Sequence, residues 1–165
     1  MQKIRFYHAA RRIFTGLCLI FAATSANTNS ANANDFTDLQ KAAKGQTVYF
    51  NAWGGDAKIN SYISWAGQIL ADRHDITLVH VKLTDTASAV SRILAEKAAG
   101  RENGGSIDLL WVNGENFAAM KRAGLLQDRP WVTSLPNWRY TDSKALPAIL
   151  SDFAEPTNGK ESPWG

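Results

Sequence analysis

The chain of 165 residues has one cysteine and three histidines. It also lacks any apolar run long enough to span a bilayer. Each shortage excludes a class of function. Cys18 lies inside the N-terminal apolar stretch, preceded by Leu17 where a lipid-attachment site takes a small residue. Lipidation, disulfides and thiolate metal sites are therefore not expected. Beyond the first ten residues the only histidines are His74 and His80, one near a helix end and one alternating with Val79 and Val81 inside a strand. No H-E-x-x-H, G-x-S-x-G or phosphate-loop motif occurs, so no metal, nucleophile or cofactor is implied, and no catalysis is expected.

Acidic residues are absent from the first 33 positions, which carry Lys3, Arg5, Arg11 and Arg12 and turn apolar from Ile13 to Ala23. A membrane span needs about 20 apolar residues and this run is about half that. The pattern is that of a secretory signal peptide, with Ala31-Asn32-Ala33 as its small-residue exit and Ala26 as the alternative. Arg11-Arg12-Ile13-Phe14 matches the core of a twin-arginine signal only in part. The expected division is a leader over 1–33 and one mature domain over 34–165.

The formal charge of +3 vanishes with the leader, which holds four of the 18 basic residues and none of the 15 acidic ones. A mature chain at minus one carries no basic footprint for nucleic acid.

After the leader, strand and helix patterns alternate. Asp35 to Lys44 reads as a short helix stopped at Gly45. Thr47 to Trp53 is a β-branched and aromatic run ending in Gly54-Gly55, hence a buried strand. From Asp56 the period becomes helical, with Ile59, Tyr62, Ile63, Ala66, Ile69 and Leu70 on one face. Ile76 to Leu83 is a second strand. Thr84 or Asp85 then caps a helix whose apolar face is Ala89, Val90, Ile93, Leu94 and Ala98. Ile107 to Val112 reads as a third strand, and Glu115 to Ala123 as a helix closed by Gly124. Such alternation predicts an α/β fold with a parallel sheet covered by helices on both faces. Beyond Asp128 five prolines interrupt every period, and Pro147 argues against a helix over Lys144 to Leu150.

Ligands of open parallel sheets bind beyond the carboxyl ends of the strands. Trp53-Gly54-Gly55-Asp56 and Trp111-Val112-Asn113-Gly114-Glu115-Asn116 both arrive there. Trp53 and Trp111 can present ring faces to an aromatic or cationic ligand, with Asp56 or Glu115 balancing its charge. Gly54 and Gly55 admit a close backbone approach, and Asn113 offers an amide where a strand ends. The alternatives are indoles packed in the core, a plain glycine turn, and Asp56 and Glu115 serving as helix caps.

Residues Gly45 to Gly55, Gly104 to Phe117, Leu135-Pro136-Asn137-Trp138-Arg139-Tyr140 and Ser162-Pro163-Trp164-Gly165 resemble a subgroup of ABC-transporter substrate-binding proteins. The resemblance covers nearly the whole mature chain. It implies the type II periplasmic-binding-protein fold of the thiamine, polyamine and iron binders, with the first three strands in spatial order 2-1-3. Such proteins are two-lobed and considerably longer, so this chain is expected to be mainly the N-terminal lobe. The implied function is periplasmic capture of a small-molecule solute, handed to an ABC permease in the inner membrane by a binding protein that is monomeric when full length. The alternatives are a secreted α/β enzyme domain, against which the absence of a catalytic constellation counts, and the effector lobe of a regulator, against which the leader counts.

Overall fold

The computed structural model describes residues 33–101 and 103–163. The leader lies outside them except for Ala33. A first helix, α1 (Ala33–Ala42), precedes strand β1 (Thr47–Trp53), helix α2 (Ala57–His74), strand β2 (Thr77–Leu83) and helix α3 (Thr86–Ala98). Strand β3 (Leu109–Leu110) and helix α4 (Gly114–Arg122) follow. The remainder holds two 3₁₀ turns, Pro136–Tyr140 and Pro147–Leu150, and a hairpin of β4 (Ser151–Asp152) and β5 (Glu155–Pro156).

The first three strands form one parallel sheet in the order β2-β1-β3, flanked by helices. β1 and β2 pair along their whole length, from Thr47 opposite Thr77 to Trp53 opposite Leu83. Because register partners in a parallel sheet share a face, Leu78, His80 and Lys82 lie with Phe50 and Ala52. That face meets α2, where a Cβ on Gly67 would sit 3.5 Å from the Leu78 Cβ. Asn51, Trp53, Val81 and Leu83 take the other face, toward α3 and α4. Lys97 of α3 joins those two helices by donating to the carbonyls just past the end of α4, the cap Ala123 at 3.2 Å and Gly124 at 2.8 Å.

Among the described residues the buried apolar set is small: Ala52, Ile63, Leu83, Ala89, Val90, Phe117, Met120 and Val132. Asn51 is buried among them, and its side-chain nitrogen and oxygen find no hydrogen-bond partner among the described residues. A buried amide left unpaired costs about 1–3 kcal/mol, so β1 carries a polar burden at its centre.

Several expectations are corrected in detail. β3 was expected over Ile107 to Val112, yet only Leu109 and Leu110 pair, opposite Phe50 and Asn51. Among the described residues β3 has a strand partner on one side only. Beside it, Asp108 replaces regular ladder geometry by accepting the Tyr49 N–H on its carboxylate at 2.8 Å while donating its own N–H to the Tyr49 carbonyl at 3.1 Å. Tyr62 and Leu94, placed on apolar helix faces by their spacing, are 53% and 44% exposed. Tyr62 instead sets its ring against that of Trp65, 5.5 Å away between centroids on the exposed side of α2. Pro136 and Pro147 open short 3₁₀ turns instead of merely breaking structure. A proline at the first helical position loses no internal hydrogen bond.

Candidate functional site

The carboxyl ends of β1, β2 and β3 deliver Trp53, Leu83 and Trp111 to one end of the sheet. Two helices begin beside them. Asp85 caps α3, its carboxylate accepting the Ala87 N–H at 3.1 Å. Asn113 occupies the capping position of α4 without making a side-chain capping bond. Together with Thr84, Thr86 and Asn116 these residues line a pocket of about 340 Å³. That volume lies within the range usual for small-molecule sites.

Two indoles give the pocket flat apolar walls, and hydroxyls from Thr84 and Thr86 and amides from Asn113 and Asn116 give it hydrogen-bonding edges. The only carboxylate in the lining is Asp85. The positive ends of α3 and α4 partly offset its charge. Such a lining suits a small polar solute with a flat or cationic face, held by stacking and a few directed hydrogen bonds.

Of the residues expected at the site, Trp53, Trp111 and Asn113 come together in this lining. Gly54, Gly55, Asp56 and Glu115 are not part of it. Asp56 caps α2, accepting the N–H groups of Lys58 at 2.7 Å and Ile59 at 2.9 Å. Glu115 is exposed in the first turn of α4. The glycine pair has a packing reason. A Cβ on Gly54 would sit 2.7 Å from the Lys82 Cβ, and one on Gly55 would collide with the Trp53 indole. The sequence reading leaves out Leu83, Thr84, Asp85 and Thr86, which also belong to the lining, while Asn116 closes the segment it carries to this end of the sheet. The signal was present, since β2 ends at the same edge of the sheet as β1.

A larger cavity, of about 470 Å³, lies on the opposite face between α2 and β2, with Asn60, Gln68, His80 and Lys82 in its walls. It runs beside the outer strand instead of gathering strand ends and helix starts. The His80 ring tilts against Phe50 at 6.4 Å between centroids. Among the described residues no group of three or more His, Cys, Asp or Glu could hold a metal ion, and no helix is long and apolar enough to cross a membrane.

Behind the start of α4 stands a carboxyl pair. Asp152 accepts the Gly114 N–H at 2.5 Å. Glu161 is pushed up to about 7, first by burial, then by the neighbouring Asp152 charge and the hydrogen bond between the two side chains. A carboxyl whose pKa is raised on folding binds its proton more tightly in the folded chain. Its contribution is therefore full below about 4.5 and is lost as pH rises toward 7. Thermal unfolding temperature is expected to fall across that window, and Glu161→Gln is expected to flatten the slope. An unchanged slope in the variant would assign the pH dependence to other groups.

Over 136 residues the chain is 53% identical to Protein YnjB of Escherichia coli (strain K12). The alignment covers 82% of this chain and 34% of that relative. The chain thus spans about a third of the length of the relative it matches. No family model matches the chain, and no solved structure does.

Proposed function

We propose that the chain is the N-terminal lobe of a type II solute-binding protein serving an ABC importer, exported to the periplasm by the leader over 1–33. The supporting observation is one pocket that joins Trp53 and Trp111 at the carboxyl ends of parallel strands ordered β2-β1-β3. That is the strand order the family resemblance implies, and the pocket sits where open α/β sheets take ligands. The solute is a small polar molecule with an aromatic or cationic face. Its capture depends on stacking, hydrogen bonds and burial, without bond chemistry, and a second lobe would complete the enclosure. An inner-membrane permease is the partner that receives it.

The test is a thermal-shift screen of small aromatic and cationic metabolites, repeated on Trp53→Ala and Trp111→Ala. Each change is expected to weaken a hit at least about tenfold, about 1.4 kcal/mol, while sparing the fold. If both cost several kcal/mol of stability and leave affinity untouched, the indoles are packing residues and the proposal fails. The exported chain should begin at Asn34 on N-terminal sequencing. Retention of Arg11 in that chain would remove the leader from the argument.

A further inference from the structure

The β4–β5 hairpin spends conformational energy to hold one aromatic ring in solvent. Its two-residue turn, Phe153-Ala154, has φ of +44° and +65°. Positive φ at both positions is the signature of a type I′ turn, which favours Asn-Gly because other residues are strained there. Here a phenylalanine takes the first place, and it is 86% exposed. Chain reversal alone needs neither the strain nor the ring.

The hairpin is fixed in place. Asp152 accepts the Gly114 N–H, Lys121 pairs with Glu155 at 2.6 Å, and Lys121 also donates to the Pro156 carbonyl at 2.7 Å. One edge of the Phe153 ring rests on Gly114, where a Cβ would lie 3.1 Å from its Cδ2 and 3.3 Å from its Cγ. Gly114 directly follows Asn113, a wall of the Trp53–Trp111 pocket. The ring is thus anchored from below and open above, one residue from the site.

We propose that Phe153 is a further contact of that site, a rim residue whose ring closes on the aromatic or delocalised cationic face of the solute and selects for it. The inference rests on the pocket being a solute site. It adds a residue and a preference that the pocket alone does not supply. Phe153 is not in the pocket lining itself, but as its rim it would add a third ring to the indoles at the ends of β1 and β3, an arrangement suited to a planar organic cation.

The probe is the N-methylnicotinamide cation, a planar pyridinium that quenches indole fluorescence on stacking, titrated into the chain at low micromolar concentration. Saturable quenching that disappears in the Trp53→Phe, Trp111→Phe double variant is expected for a solute site. Phe153→Asn removes the ring and suits the positive φ, so the variant should unfold at a higher temperature yet bind about 5–10-fold more weakly. Phe153→Trp should retain binding, which separates loss of the ring from disturbance of the turn. Unchanged affinity in Phe153→Asn, with quenching still dependent on the two tryptophans, overturns the role of Phe153 and leaves the pocket reading standing. Absence of saturable quenching, or quenching indifferent to both tryptophans, overturns the pocket reading and this inference with it.

Discussion

Phe117→Ala is expected to destabilise the chain by about 3–5 kcal/mol, the range for removing a fully buried phenylalanine. Ordinary domains have about 5–15 kcal/mol in total, and so few buried apolar residues among those described point to the lower end. The substitution should therefore leave it largely unfolded at 37 °C. Phe117 is wholly buried, and with Gly114 and Met120 it forms the inward stripe of α4. Among the described residues only Asn51 accompanies it as a large side chain with no exposed surface, and Asn51 contributes an unpaired amide where Phe117 contributes apolar area. The consequence for the site is direct, because α4 begins at Asn113 and carries Asn116, both in the pocket wall. Urea unfolding followed by circular dichroism measures the effect. A midpoint near that of the parent chain would mean that α4 is not what holds the sheet on this face. Trp53 provides the contrast. It is 46% exposed, so Trp53→Ala should leave the unfolding midpoint nearly unchanged.

The elements that could be read from the sequence are those whose local chemistry and tertiary setting agree. β1 combines an aromatic and β-branched run with a central place in the sheet, so its bounds are as expected, but the burial expected along it is confined to Asn51 and Ala52. α2 and α3 announce themselves by period and by Asp56 and Asp85, which cap them in the structure as their positions suggest. Agreement fails where one requirement is met without the other. Ile107 to Val112 has the composition of an interior strand but stands at an edge, and two residues suffice for its pairing. The hairpin at Ser151–Pro156 gives no turn signal at all, because Phe153-Ala154 contradicts the residue preference of the turn it makes. At the site, strand-end reasoning located Trp53, Trp111 and Asn113. Asp85 escaped it because capping α3 is already a sufficient reason for a carboxylate there. The structure adds a second fact that no linear pattern contains, namely that this cap lines the same pocket as two indoles.

The chain is expected to self-associate through β3, and Leu109→Lys is expected to keep it monomeric. β3 closes one side of the sheet, and among the described residues no strand pairs with its outer edge. Leu109 is 43% exposed there, within a segment whose only charge is Asp108 and which contains no proline. Open apolar edges of this composition are templates for another strand, and natural proteins blunt them with lysine, proline or a covering element. Asp108 is the one charge beside this edge, and its exposed carboxylate is already engaged by the Tyr49 N–H of β1. A lysine at Leu109 would place an ammonium on the α2 face of the edge, where stacking a second chain would bury it unpaired. Because the position is partly exposed, the change should alter folding stability by only about 0.5 kcal/mol. Size-exclusion chromatography with light scattering, run over a concentration series, separates the outcomes. Association in the parent chain and a monomer in the variant support β3 as the contact. A parent chain that stays monomeric throughout would show that the edge is already protected, and equal association in both would place the contact elsewhere on the surface.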